Sequence, residues 1–165
     1  MQEVHFIIIS NNLLRTNVCG NKVYLSPVMD FFNREIVSYS ISTSPNLWLI
    51  REMLNGLFKK LPKDVRPIFH SDQGWQYQHA EYQRLLKEHN ITQSMSRKGN
   101  CMDNGAMENF FGRLKVEMFY GEKFESVITF IDELKTYIDY YNNERISIKL
   151  KGMSPVQYRT HSLAI

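Results

Sequence analysis

The sequence predicts an α/β fold in which a mixed five-stranded β-sheet carries helices on both faces. Three observations favour this class. Three segments rich in β-forming residues occupy the first 42 positions, two further short strands then alternate with segments of helical period, and two helices close the chain. Strands that alternate with helices are typical of a sheet layered between helices.

The N-terminal strands are indicated by β-branched and aromatic residues. Residues 5–9 form the first predicted strand, and the turn-forming types Ser10, Asn11 and Asn12 interrupt it. Strands over 23–32 and 35–42 follow. Asn33-Arg34 between them predicts a hairpin turn, although it lacks the glycine of the strongest hairpin signals.

The remaining elements follow from apolar periodicity and helix boundaries. Ser44-Pro45 predicts a helix start, with serine as the cap and proline in the first turn, and Lys59-Lys60 marks the helix end. Asp103 or Asn104 is predicted to cap the helix that contains Glu108. The other predicted elements are strands over 65–70 and 91–95 and helices over 79–89, about 126–142 and from Ser154-Pro155.

Composition indicates one ordinary globular domain. The chain has 165 residues, of which 43% are hydrophobic and 22% charged, and its net charge of +3 permits a nucleic-acid partner without demanding one. No apolar run is long enough to span a membrane, and nothing is typical of a signal peptide. Cys19 and Cys101 lie far apart in the sequence, which suits a reducing compartment. We therefore expect a cytoplasmic protein that does not associate with membranes.

Two carboxylates stand at positions that folding can bring together. Asp72 comes directly after the apolar run Pro67-Ile68-Phe69, which indicates the end of a buried strand. Glu108 lies beside a helical stripe, and Lys115 is two turns further along the same side. The stripe consists of Met107, Phe110, Phe111, Leu114 and Met118. A pair of carboxylates can hold Mg²⁺, which leaves its other positions to water and phosphate.

These motifs resemble the DDE recombinases of the retroviral integrase type. More narrowly, they resemble the integrase catalytic core of bacterial insertion-sequence transposases encoded by a second reading frame (orfB type). Thirty-five residues lie between Asp72 and Glu108, and the likeness covers about residues 18–160. The matching segments are Val23–Pro27, Asn33–Glu35, His70–Gly74, Ser96–Asn100, Asp103-Asn104 with Glu108–Phe111, and Tyr141–Arg145.

The resemblance implies a ribonuclease-H-like fold and metal-dependent phosphodiester chemistry on DNA. It implies that Asp72 and Glu108 are catalytic and bind Mg²⁺ or Mn²⁺, two ions being about 3.5–4 Å apart in such sites. The expected reactions are hydrolysis at an element end and strand transfer into a target, as in DNA transposition and integration. The expected partners are DNA and further copies of this chain or of an intact transposase. The residues expected to contact DNA phosphates are Lys115, Arg113, Arg97 and Lys98.

The sequence departs from this family at its N-terminus. The family's first strand carries Trp-x-Thr-Asp-x-Thr, and an ungapped count back from Cys19-Gly20-Asn21 puts Asn12 at the aspartate position. A neutral amide is a poor ligand for two divalent ions, so we expect impaired catalysis. Asp30, on a different strand, is the available substitute.

The departure also defines the predicted domain boundaries. Residues 1–17 are predicted to be a divergent segment that replaces the first catalytic strand, 18–160 the integrase-type core, and 161–165 a tail. The abrupt boundary indicates a frameshift or a rearranged 5′ end. We expect the helix-turn-helix region that usually precedes this core to be missing.

Two other functions stay open at this point. The chain could be a non-catalytic fragment that binds DNA or an intact transposase, or a ribonuclease-H-like nuclease, which Lys115 and the segment Tyr141–Arg145 disfavour. Ordinary roles are also available to single residues. His70 is expected to be a packed histidine, and Trp75 and Tyr77 are expected to anchor a loop.

Overall fold

The computed structural model describes residues 8–11, 13–95 and 105–163. The described residues form six strand segments: β1 Ile8–Asn11, β2 Leu14–Val18, β3 Asn21–Asp30, β4 Ile36–Ser42, β5 Ile68–Ser71 and β6 Thr92–Met95. The helices are α1 Leu47–Lys60, α2 Trp75–Gln78, α3 Ala80–Glu88, α4 Gly105–Leu114, α5 Val127–Asn143 and α6 Pro155–Leu163. A π-helical turn, Lys115–Phe119, continues α4, and a 3₁₀ turn, Ile148–Leu150, precedes α6.

The strands form one mixed sheet, as predicted. β3 pairs antiparallel with β1, β2 and β4, whereas β1 and β5 pair in parallel, as do β5 and β6. Across the sheet the order is β4-β3-β1-β5-β6, and β2 pairs with β3 on the same edge as β1. In the parallel pair, Asn11 is the partner of Ser71, so β1 and β5 end at the same level.

β1 and β2 are two halves of one interrupted strand. Asn11 lies opposite Val28 and Leu14 opposite Leu25, so both segments pair with β3 in the same register. Both use the same edge of β3, since β4 occupies the other edge over residues 24–29. The six described segments thus fill five positions across the sheet, which agrees with the five strands expected.

The N-terminal strand differs from its prediction in extent. It was expected to end at Ile9, but β1 continues to Asn11 and the chain returns to the ladder as β2. The prediction failed because Ser10 and Asn11 are turn-forming types, and pairing to both β3 and β5 overrides that local preference.

Helices cover both faces of the sheet. Side chains of consecutive β3 residues point to opposite faces of the sheet. Val28 and Met29 are both fully buried but belong to different apolar clusters. Met29 belongs to the cluster formed with α4 and α5, and Val28 to the cluster formed with α1 and α3. None of the described helices combines the length and apolar character needed to cross a bilayer.

The start of α1 corrects one predicted cap. Asn46, not Ser44, caps this helix, because its side chain accepts a hydrogen bond from the Leu49 amide at 3.2 Å. Ser44 lies before the helix, where its own amide donates to the Ser42 hydroxyl. The Ser-Pro pattern placed the start too early because asparagine two residues later satisfies the same requirement.

Asn142 fixes the end of α5 against the sheet. Its Oδ1 accepts from the Ile36 amide at 2.8 Å, and its Nδ2 donates to the Ile36 carbonyl at 3.0 Å. Ile36 is a buried residue at the start of β4. The side chain thus pairs with both backbone polar groups of one buried residue.

We predict that Asn142→Ala lowers the free energy of unfolding by about 1–3 kcal/mol, because it leaves a buried amide and carbonyl unpaired. Urea denaturation measures this change. Asn143→Ala is the matched control, since Asn143 bonds only to Asp139 in its own helix, and it should change stability by less than about 0.5 kcal/mol. Equal losses in the two variants would contradict the assigned role.

Candidate active site

Asp72 is the first residue after β5 and is half-buried. Its Oδ1 accepts from the Gly74 amide at 2.7 Å, which closes a tight turn at the strand end. Carboxylates that bind metals are usually held by such hydrogen bonds. The predicted position after a buried strand is therefore correct, and the turn orients the carboxylate.

The close approach of two side-chain oxygens favours glycine at position 74. A Cβ atom here would lie 2.9 Å from Asp72 Oδ1 and 2.8 Å from Gln76 Oε1. Any larger residue must displace one of these groups. The Asp-Gln-Gly sequence thus has a packing reason at the site itself.

Two buried tyrosines lie close to the Asp72 carboxylate. Burial raises the pKa of Tyr77 well above its ordinary value, and the negative charge of Asp72 raises it further. Burial also raises the pKa of Tyr82, with a smaller contribution from Asp72. Both phenols are therefore neutral beside the carboxylate at physiological pH.

The loop-anchor prediction is correct for Tyr77 but wrong for Trp75. Tyr77 is 1% exposed, whereas Trp75 is 55% exposed at the start of α2. Trp75 thus presents most of its indole to solvent, three residues after Asp72. No local pattern distinguishes the two residues, because both are large aromatics in one short helical turn.

Glu108 lies in the first turn of α4, and its side chain is exposed. The predicted apolar stripe is buried beneath this helix through Met107, Phe110, Phe111 and Leu114. The carboxylate therefore lies at the solvent-facing flank, where the positive end of the helix dipole favours its charge. Met118, the last member of the stripe, is buried in the π-helical turn.

His70 is packed, as expected. It is 8% exposed, and its Nδ1 lies 3.1 Å from the Ser94 hydroxyl on β6. This contact links two neighbouring strands just before Asp72.

Two predicted phosphate contacts, Arg113 in α4 and Lys115 in the π-helical turn that continues it, lie on different flanks of this helical segment. Lys115 is exposed and is about two turns from Glu108 along the same side. Arg113 points away from that side, and its Nε donates to Asn109 Oδ1 at 2.9 Å. Arg97, Lys98, Asp103 and Asn104 lie outside the described residues, as does Asn12.

Asp30 lies at a different level of the sheet from Asp72. It pairs with Ile9, which in turn pairs with Phe69, three residues before Asp72. That offset is about 10 Å along the strand direction. The Asp30 carboxylate also accepts from the Phe32 amide at 2.8 Å, within the β3–β4 turn. This register disfavours Asp30 as the substitute ligand.

Glu117 links the π-helical turn to α5. Its carboxylate accepts from Arg145 Nη2 at 2.6 Å and from the Tyr137 hydroxyl at 2.8 Å. The hydrogen bond from Arg145 lowers the pKa of Glu117, and that from Tyr137 lowers it further. The sequence singled out the segment that contains Arg145 but not this contact, because the partners are 28 residues apart.

The donors present suit a hard divalent cation. Among the described residues, no three His, Cys, Asp or Glu side chains gather into a metal-binding group. Mg²⁺, however, commonly binds through one or two carboxylates and completes its shell with water and phosphate. Asp72 and Glu108 supply such oxygen donors, so the residues fit Mg²⁺ or Mn²⁺.

Comparison with known proteins gives a consistent result over most of the chain. Two models of the integrase core domain match residues 13–101 and 108–163. InsK, of the insertion sequence element IS150 of Escherichia coli K12, is 52% identical over 145 residues, which are 88% of this chain and 51% of that protein. Transposase InsF of IS3A, from the same organism, is 38% identical over 86% of this chain and 50% of its own length. The chain thus spans about half the length of these relatives.

Solved structures show the same fold at low sequence identity. The bovine immunodeficiency virus (BIV) integrase catalytic core has a TM-score of 0.65 at 15% identity, over 96% of this chain and 97% of that one. The HTLV-2 integrase catalytic core in complex with magnesium, in a trimeric form, has a TM-score of 0.62 at 13% identity, over 96% and 99%. The fold is therefore that of integrase catalytic cores, the ribonuclease-H-like architecture expected from the sequence.

We predict that the Glu117–Arg145 pair stabilises the fold at neutral pH and not in acid. Because folding lowers the pKa of Glu117, its contribution is complete above the unfolded-state pKa of about 4.3 and is lost as the pH falls through the lower folded-state value. Glu117→Gln should therefore lower the free energy of unfolding by about 0.5–1 kcal/mol at pH 7, because solvent screens this partly exposed pair. Urea titrations of both proteins between neutral and acidic pH should show this difference shrinking. A difference that is independent of pH would contradict the assignment.

Proposed function

The chain belongs to the integrase core domain family, and on that premise we propose that it is the catalytic core of a bacterial insertion-sequence transposase with impaired catalysis. The proposed activity is metal-dependent phosphodiester hydrolysis and strand transfer during DNA transposition. The proposal is carried by the pairing of the last residues of β1 and β5. In the chain, Asn12 follows β1 and Asp72 follows β5.

The parallel register explains why position 12 matters. Asn11 pairs with Ser71, and neighbouring strands lie about 4.8 Å apart. The residues that follow these two are Asn12 and Asp72. An aspartate at position 12 would offer an anionic oxygen donor, whereas asparagine offers only a neutral amide. We propose that this single substitution accounts for the impairment, and that residues 1–17 replace the family's first catalytic strand.

Asp72 and Glu108 are the proposed ligands of Mg²⁺ or Mn²⁺. When bound, such ions stabilise the attacking and leaving oxygens of an in-line displacement at phosphorus. The turn at Gly74 holds one Asp72 oxygen and so limits its rotation. The α4 apolar stripe fixes the helix that carries Glu108. The protein's own contribution is therefore to orient two carboxylates before substrate arrives.

The proposed contacts to DNA are electrostatic. Lys115 lies on the Glu108 side of α4 and is exposed, so its ammonium group can neutralise a phosphate near the site. Arg113, Arg97 and Lys98 are proposed as further phosphate contacts. The proposed partners are element ends, target DNA, and further copies of this chain or of an intact transposase. We expect these reactions in the bacterial cytoplasm, with the protein on the nucleoid when it is bound to DNA.

The neutral side chain of Asn12 also favours a second function. Without the first carboxylate, the chain can still offer the exposed Lys115 and Arg113 to DNA phosphates. It would then be a non-catalytic fragment that binds DNA or joins an intact transposase. The two functions can be distinguished by whether an aspartate at position 12 restores DNA cutting.

We predict that Asn12→Asp increases Mg²⁺- or Mn²⁺-dependent nicking by about 10²-fold or more, because it restores an anionic ligand. The substrate is a duplex that carries the terminal inverted repeat of the parent element, and denaturing electrophoresis measures the nicked strand. Asp72→Asn and Glu108→Gln, each in the Asn12→Asp background, should abolish the gain.

Asn17→Asp is the matched control, since it makes the same change at an exposed position of β2 and should leave nicking unchanged. Efficient nicking by the unaltered chain would refute the impairment. Binding without cutting in the Asn12→Asp variant would favour the non-catalytic fragment.

A further inference from the structure

A cationic cleft lies on the flank of α4 that faces away from Glu108. Its lining includes Arg34 from the β3–β4 turn, Arg113 from α4, Arg145 and Lys149 from the segment after α5, and the polar groups of Asn109 and Tyr141. Its volume is about 100 Å³, several times the roughly 10–15 Å³ that one water molecule requires. We propose that this cleft binds a phosphate of the DNA backbone. The proposal rests on the function proposed above and extends it to a second contact region.

The charges in the cleft are unbalanced. None of the described residues that line it carries a carboxylate. Within residues 13–95 and 105–163, Arg145 is paired with Glu117, and no salt bridge involves Arg34, Arg113 or Lys149. Cations held near one another repel unless an anion lies between them. The cleft is therefore best suited to a ligand that carries negative charge.

Tyr141 shows that the guanidinium groups converge. This buried phenol lines the cleft, and burial raises its pKa to about 12; the positive charges of Arg145, Arg34 and Arg113 act to lower it, and the negative charge of Glu117 acts to raise it. Three arginines from three separate elements thus influence one hydroxyl group. Planar guanidinium groups suit phosphate oxygens, which accept two parallel hydrogen bonds from one arginine.

Arg34 is held toward the cleft by its backbone and by an aromatic ring. Its φ of +66° lies in the left-handed region, and its amide donates to the Asp30 carbonyl at 2.8 Å. Its guanidinium lies 5.6 Å from the centre of the Phe31 ring. A non-glycine residue in this conformation carries a small backbone cost, which the tight turn accommodates.

The exposed ridge of α4 lies between the cleft and Glu108. Helical geometry places Gly105 and Gly112 on this ridge, between the Glu108 flank and the Arg113 flank. A Cβ atom at either glycine would meet no atom within 4 Å, so packing within the described residues does not require glycine at position 112. Glycine inside a helix is unfavourable, but it permits the close approach of another backbone. A duplex can therefore lie across α4, with Glu108 and Lys115 on one side and the cleft on the other.

The test is DNA binding by Arg34→Gln/Lys149→Gln, with Lys63→Gln/Lys87→Gln as the matched control. The control removes the same charge from exposed positions on the side of α1 and α3. Fluorescence anisotropy with a labelled terminal-repeat duplex, over a series of salt concentrations, gives affinity and salt slope. The cleft variant should lose about 10-fold in affinity and about 1 in the slope of log K against log salt, whereas the control should change affinity less than about 2-fold.

Gly112→Ala provides an independent test. Alanine should raise Tm by about 2–4 °C, because it favours the helix, and still weaken DNA binding by obstructing the ridge. A merely structural role for position 112 would leave the affinity unchanged. Thermal unfolding of every variant shows that losses of binding do not arise from misfolding.

The outcomes separate this proposal from the proposed function. If the wild-type chain binds the duplex and the cleft variant binds equally well, the cleft proposal is wrong. If the wild-type chain does not bind DNA, the proposed function fails. Titration with inorganic phosphate, monitored by amide NMR shifts at Gly105 and Gly152, then tests separately whether the cleft binds an anion. Shifts that disappear in the cleft variant support an anion site, and no shifts overturn it.

Discussion

The parallel pairing of β1 with β5 is the constraint on which the rest of the site depends. Asn11 opposite Ser71 sets two strand ends level, and the antiparallel pairing of β1 with β3 holds the same strand from its other edge. A slip of one residue would move the side chains of a strand to the opposite face of the sheet. The position of Asp72 relative to the first strand therefore follows from backbone register and not from any side-chain contact.

The helix layer carries the second carboxylate of the proposed site. The apolar stripe of α4 is buried against the sheet, which leaves Glu108 on a solvent-facing flank. Two polar connections then fix α5 against its neighbours. Asn142 pairs with the backbone N–H and C=O of Ile36, and Arg145 pairs with Glu117. The segment Tyr141–Arg145 thus has a structural explanation, since its asparagine and arginine hold together the elements around α4.

Local pattern was sufficient to predict much of this arrangement. The apolar run before Asp72 indicated a buried strand end, and the helical period around Glu108 indicated which face of α4 is buried. Both are patterns among neighbouring residues in the chain, so they can be recognised without knowledge of the fold. The ribonuclease-H-like architecture came from the resemblance, because element order alone specifies only a mixed sheet with helices.

The features that the sequence did not predict depend on long-range contacts. β2 is stabilised by its ladder with β3, and its five residues carry only a weak alternating pattern. The exposure of Trp75 and the burial of Tyr77 depend on which side of a single helical turn meets the core. The cleft unites Arg34 with residues more than 70 positions further along the chain, so no local motif could reveal it.

The most direct test of the account is whether Asp72 and Glu108 share a divalent ion. Paramagnetic broadening by Mn²⁺ in amide NMR spectra of the full chain measures this, since each bound ion broadens signals from nearby residues. The account predicts that Mn²⁺ broadens amides around Asp72 and around Glu108 together, and that Asp72→Asn or Glu108→Gln alone removes both effects. Broadening at one of the two segments only, or at both with independent loss in the variants, would contradict it.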